Sequence, residues 1–197
     1  MKTNHITRLF LITFVAAAAA GCASAPSHFY TLNSTATGNV APAVPDAVVV
    51  GPVSVLALVD RPEFTVQIAT NRIQIDEFNL WAAPLNDNIA GVVAGDLAVL
   101  LGTPRVATVP LANFDPVWRV TINVQRFESV RNKSALIEAV WVVRRAAGGA
   151  AHPGHTVASE PVTDGGFDAL AAAHSRALAK VSGDIAAAIR AEAGAKP

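Results

Sequence analysis

Apolar and polar positions change rhythm several times along this chain, and each change marks an element. Residues 48–59 are dense in β-branched side chains, with Val53, Val55, Ala57 and Val59 on one phase of a two-residue repeat. Successive strand side chains point to opposite faces, so this spacing predicts a strand buried on at least one face. Asp60, Arg61 and Pro62 end it, because proline has no backbone N–H for a ladder. Residues 64–68 and 72–75 alternate in the same way around Ala69, Thr70 and Asn71, which predicts a hairpin. Residues 105–109 make a short strand, and residues 29–32 a strand-like patch able to dock on a domain edge.

The clearest strand covers residues 117–130. Trp118, Val120, Ile122 and Val124 alternate with Arg119, Thr121, Asn123 and Gln125, giving one buried face and one wet face. Phe127 then falls out of step, which predicts a bulge near Gln125 and Arg126. Residues 135–145 return as a second strand. Its Ile137, Ala139, Trp141 and Val143 make one face, and Leu136, Val140 and Val142 the other, broken by Glu138. A strand apolar on both faces requires cover on both. Residues 146–154 read as a Gly/Ala loop and residues 155–162 as a weaker strand.

Two stretches carry helical spacing instead. Leu85, Ile89, Val92, Val93, Leu97, Leu100 and Leu101 form one apolar stripe, opened by Pro84 and Asp87 and stopped by Gly102 and Pro104. Phe167, Leu170, Ala171, His174, Leu178, Val181, Ile185 and Ile189 form the other, after Asp164, Gly165 and Gly166. The sum is an α+β fold: a mixed, mainly antiparallel sheet with two amphipathic helices packed on it.

The N-terminus follows a different grammar. Lys2 and Arg8 precede an uncharged apolar run over residues 9–20. A membrane-spanning helix needs roughly 20 apolar residues, so this run reads as a secretory signal. Ala19, Ala20 and Gly21 then lead to Cys22, the single cysteine. A lone cysteine in an exported chain has no internal disulfide partner. Its setting resembles the bacterial lipobox, although Ala19 stands where leucine is usual. The alternative is an ordinary signal peptide cut near the alanine-rich stretch, leaving an idle thiol. The expected organisation is a lipoprotein signal peptide over 1–21, a lipidated Cys22 and flexible tether over 22–46, and a folded domain over 47–193. Ala23, rather than Asp, after the cysteine points to the outer membrane under enteric-type sorting.

Composition narrows the function. The 197 residues are 52% hydrophobic and 15% charged, enough for a substantial core. Lysines and arginines balance aspartates and glutamates at 15 each. Loss of residues 1–21 removes Lys2 and Arg8 and no acid, so the remainder is slightly acidic. Nucleic-acid binding wants a basic excess, and the chain has none. His152 and His155 stand three apart with Glu160 nearby, too few converging ligands for a metal site. His174 sits on an apolar stripe and reads as a hydrogen-bonded core or interface histidine. Asp76 and Glu77 are neighbours on an extended chain and point apart. No nucleophile elbow or phosphate loop is present, so no enzyme activity, cofactor or metal is expected.

Several local patterns cohere. They are Tyr30-Thr31-Leu32, Asp60-Arg61-Pro62, Asn71-Arg72-Ile73, the run from Phe78 through Asn79, Leu80, Trp81 and Pro84 to Leu85, and an alanine-rich last helix after Asp164-Gly165-Gly166-Phe167. This arrangement resembles the ABC-type transport auxiliary lipoproteins, a PqiC-like family, from about Tyr30 to Ile189. The resemblance implies a non-catalytic accessory of intermembrane lipid transport, anchored in the outer membrane and facing the periplasm. The partners it implies are an MCE-domain protein, the associated inner-membrane permease or ABC transporter, the membrane itself through the lipid, and further copies in a homo-oligomer. Arg61, Phe78, Asn79, Trp81 and Leu85 are the expected partner contacts, although Trp81 and Leu85 also suit packing of a helix on its own sheet. Two other readings remain at this stage. One is a lipid-tethered scaffold or regulator of another envelope assembly, such as peptidoglycan synthesis. The other is a periplasmic hydrolase, which no residue pattern specifically supports.

Overall fold

The structure, a computed structural model, describes residues 25–38, 42–109 and 113–194. The expected signal segment and Cys22 lie outside these residues. The elements are β1 (His28–Tyr30), β2 (Val48–Ser54), β3 (Glu63–Ala69), β4 (Arg72–Trp81), α1 (Leu85–Leu101), β5 (Val106–Ala107), β6 (Trp118–Val130), β7 (Ser134–Arg145), β8 (Ala151–Pro161) and α2 (Phe167–Gly194).

The expected α+β class and mixed pairing are found, but the one expected sheet is two. Five strands run in the order β5-β2-β6-β7-β8, and three in the order β1-β4-β3. β6, β7 and β8 pair antiparallel, as do β3 and β4, whereas β2 runs parallel to both β5 and β6. The predicted bulge is present, since the β6–β7 register shifts between Val124 and Arg126. Both helices lie on one face of the five-stranded sheet, α1 over β2 and β5, α2 over β7 and β8, touching each other.

The helices form for the reasons their sequences suggest. The N–H of Asn88 donates to the Pro84 carbonyl at 3.0 Å, closing the first turn of α1. Gly102 ends it at φ 66°, a left-handed conformation that glycine adopts without a Cβ penalty. Asp164 accepts from the Gly166 N–H at 2.9 Å ahead of α2. All eight residues of the expected α2 stripe are buried, and six of the seven on α1, Leu100 being half-buried. Glu160 on β8 pins α2 through Lys180 at 2.6 Å and Arg176 at 3.0 Å. The Lys180 hydrogen bond, with Arg176 adding to it, holds the Glu160 carboxyl below the usual carboxylate range.

Three boundaries differ most from expectation. β2 stops at Ser54 instead of 59, because the Leu56 carbonyl accepts from both Val59 and Asp60 N–H and turns the chain. β4 runs to Trp81 instead of 75. β8 starts at Ala151, inside the expected loop. It is the sheet's edge strand, where Pro153 can lack a donor without breaking the sheet. Among the described residues no layer covers the second face of β7, and Leu136, Val140 and Val142 are half-buried among neighbours along the sheet.

The tether expectation over 22–46 is corrected from His28 onward. β1 pairs with β4, Leu32 is buried, and the next residues are held by a carboxylate. Asp96 on α1 is fully buried. Its Oδ1 accepts from the Ser34 hydroxyl at 2.6 Å and from the Thr35 and Ala36 N–H groups at 3.0 Å, and its Oδ2 from the Ser182 hydroxyl at 3.0 Å. Small polar residues that read as linker composition are here the donors a buried acid requires. Further along, the Val44 N–H donates to the Leu101 carbonyl at 2.8 Å and the Trp118 indole to Asp46 at 2.9 Å.

Candidate interaction surface

The two sheets meet along a file of aromatic rings. Phe64 of β3 stacks on Trp81 of β4 with centroids 4.2 Å apart, and Tyr30 of β1 meets Phe64 edge-on at 5.9 Å. Trp81 meets Phe127 of β6 at 6.0 Å, and Phe127 stacks on His174 of α2 at 3.8 Å with planes 8° apart. Trp81 is 4% exposed and Leu85 1%. These two expected partner contacts are therefore corrected to core residues, whose area is already used inside the chain.

His174 belongs to the same core. Its Nε2 lies 2.8 Å from the Ser129 hydroxyl, and its Nδ1 has no partner among the described residues. Burial pushes its pKa down to about 3, so the ring is neutral. The tautomer with the proton on Nε2 leaves only a lone pair unpaired at Nδ1, which costs less than a stranded N–H. It braces the core, in keeping with the reading of a hydrogen-bonded core histidine.

The remaining expected contacts separate. Asn79 is half-buried and structural: Tyr30 donates its hydroxyl to Asn79 Oδ1 at 2.7 Å, and Asn79 Nδ2 donates to Asp76 at 2.8 Å. Asp76 Oδ1 also accepts from the Phe78 and Asn79 N–H groups, so it secures a bulge where the register jumps from Phe64–Asp76 to Glu63–Leu80. Phe78 stands on that bulge, 43% exposed. Arg61 is half-buried and lines a depression with Asp60, Pro62, Trp81, Ala82, Ala83 and Pro84, and its buried Nε has no partner among the described residues. The structure thus leaves Arg61 and Phe78 available and withdraws Trp81 and Leu85.

The largest feature missed in the sequence is apolar surface around the hairpin. Leu56, Leu58, Ile73 and Phe127 line a groove of about 310 Å³, with Arg126 and Glu128 at its side. Ile73 and Ile75 share one face of β4, and Phe29 pairs with Leu80 on that sheet. Alternation on β4 did signal Ile73 and Ile75, but not that their face stays open.

His152 and His155, expected at a loop, both stand on β8 and do not converge. His152 meets Glu192 of α2 at 3.0 Å, whereas His155 meets Glu138 at 3.0 Å on the opposite face of β8. Residues three apart on a strand lie on opposite faces, which separates them as ligands. His155 foremost, with Arg126 beside it, holds the Glu138 carboxyl below its ordinary value. Among the described residues, no group of three metal-ligating side chains assembles, and no helix is long and apolar enough to cross a membrane.

The profile of the family described as "ABC-type transport auxiliary lipoprotein component" matches residues 30–186. No curated protein matches the chain. Among solved structures, a Xanthomonas campestris protein of the DUF330 family superposes with a TM-score of 0.68 at 22% identity, covering 81% of this chain and 92% of that one. A second crystal structure, of a protein described as uncharacterized, gives 0.66 at 20% identity, covering 84% of this chain and 99% of that one. Both share the fold.

Proposed function

We propose that this chain, which belongs to the ABC-type transport auxiliary lipoprotein component family, is a non-catalytic accessory of intermembrane lipid transport held at the periplasmic face of the outer membrane. The family match over residues 30–186 is the observation that carries this reading. The anchor is acylated Cys22. One acyl chain binds weakly, at about 0.8 kcal/mol per buried methylene, whereas two or more give lasting attachment. The domain then serves as a docking module for an MCE-domain protein that connects to an inner-membrane permease or ABC transporter.

Arg61 is the contact we assign to the protein partner. Arg61 lines an accessible depression, and a guanidinium there suits a carboxylate or main-chain carbonyl. The half-exposed Leu136, Val140 and Val142 on the open face of the five-stranded sheet suit a second copy of the chain.

The test is crosslinking of a tagged full-length chain in its own cells, followed by identification of bound proteins. An MCE-domain protein is expected, with recovery falling several-fold for Arg61→Glu at unchanged abundance. Its absence from the crosslinked material, while present in the same cells, overturns the reading.

A further inference from the structure

Exposed apolar side chains concentrate on one side of this molecule. Phe29 is 66% exposed, and Ile73, Ile75 and Phe78 between 42% and 44%. Ile73 and Ile75 are two apart on β4, with Thr65 and Gln67 opposite them on β3. Past the bulge, Leu80 continues that face and pairs with Phe29. Leu56 and Leu58 extend it across the groove that Ile73 lines. Single exposed hydrophobics are ordinary, but a cluster drawn from two neighbouring strands and a loop is not.

The chain itself indicates what covers this face. Cys22 stands six residues before His28, where β1 begins, and Phe29 is the next residue. An extended chain advances about 3.5 Å per residue, so the anchor lies at most about 20 Å from the edge of the sheet. The chain enters the packed domain at the edge strand of this sheet, within reach of a lipid on Cys22. Charge agrees with an apolar contact rather than an electrostatic one. No lysine occurs between residues 25 and 109, and Glu63, Arg72 and Glu77 around the face are of mixed sign.

We propose that the outer face of the three-stranded sheet rests on the lipid surface that carries the anchor, with Phe29 and Phe78 seated at the headgroup boundary. This rests on the reading of Cys22 as lipidated, and it assigns Phe78 to lipid instead of to a protein partner. A buried aromatic contact beside an acyl anchor makes two signals of one attachment, and it fixes the orientation of the domain where a flexible tether leaves it free. The contact needs no anionic lipid and persists in high salt.

The test uses mature protein from cells expressing the full-length chain, reconstituted into phosphatidylcholine vesicles with brominated acyl chains. Phe78→Trp places a fluorophore on the face, and Val157→Trp, at an exposed position of β8, serves as the control. After subtraction of the native tryptophans, the bromines are expected to quench the residue-78 indole at least twofold more than the residue-157 indole, in low and high salt alike. Acyl mass on Cys22 with equal or absent quenching overturns the inference and leaves the anchor standing. A residue-78 indole shielded from aqueous quencher but untouched by the bromines also overturns it, in favour of a protein or a second copy on that face. Absence of acyl mass on Cys22 overturns the anchor and this inference together.

Discussion

The indole of Trp141 lies across the α-carbon of Gly154. The two are directly paired on β7 and β8, and a Cβ at Gly154 would stand 2.2 Å from the ring's Cζ2. The indole N–H donates to the Thr156 hydroxyl at 3.0 Å, which donates to Asp184 of α2 at 2.6 Å. One ring thus ties two strands to the last helix. Gly154→Ala is expected to cost about 3 kcal/mol by overpacking. Trp141→Phe added to it should recover part of that loss, because phenylalanine lacks the clashing ring. Urea unfolding of both variants measures this, and a single-variant loss under about 0.5 kcal/mol refutes the tight contact.

Asp96 holds residues 34–36 through three accepted hydrogen bonds and takes a fourth from Ser182 of α2. Asp96→Ala leaves the buried Ser182 hydroxyl without its acceptor, whereas Ser34 and Thr35 are exposed and can turn to water. A loss of about 1–3 kcal/mol is expected on that basis. Hydrogen exchange at the Thr35 and Ala36 amides should accelerate far more than at β6. Equal protection in variant and parent would show that the segment is held by something else.

The buried His174 predicts a pH dependence. Its folded pKa is about 3, against an ordinary value of 6.5. Below pH 6.5 the unfolded chain binds a proton that the folded chain refuses, so stability falls as pH falls from 6.5 towards 3. The slope reaches about 1.4 kcal/mol per pH unit, or about 2 kcal/mol between pH 6.5 and 5. His174→Gln should be less stable at pH 7 but lose about 2 kcal/mol less over that interval. Identical slopes in denaturant titrations would remove His174 as the cause.

Trp81 and Phe78 should behave oppositely although they are three residues apart. Trp81→Ala opens the ring file and is expected to cost about 3–5 kcal/mol. Phe78→Ser, at an exposed position, should change stability by about 0.5 kcal/mol or less. Thermal unfolding separates them, and a small effect at Trp81 would restore it as an external contact.

Cys22→Ser is expected to leave the domain folded and release it from the membrane fraction. The variant still sedimenting with membranes in high salt would rule out acylation of that residue as the anchor.

Much of the fold was legible locally. The stripes on α1 and α2, the alternation on β6 and its bulge at Gln125 all follow from periodicities of 3.6 and 2, which a chain carries in its own order. The beginning of β8 was not legible, because Pro153 and Gly154 read as breakers. Only the strand's place at the sheet edge, and the Trp141 ring above Gly154, make both residues suitable there.

The candidate surface shows the same division. The run from Phe78 to Leu85 stands out in the sequence, but which of its side chains face outward does not. The bulge secured by Asp76 resets the phase of β4, turning Trp81 inward onto Phe64 and leaving Phe78 in solvent. Residues 34–36 likewise read as linker until Asp96, some 60 positions later, supplies their acceptor. The sequence alone determined the single cysteine, the two helices and the long strands, because those depend on neighbours along the chain. The tertiary structure decided the division into two sheets, the burial of Trp81 and Leu85, and the open apolar face around Ile73, Ile75 and Phe78. Those outcomes depend on register and on partners distant in sequence, which no local period records.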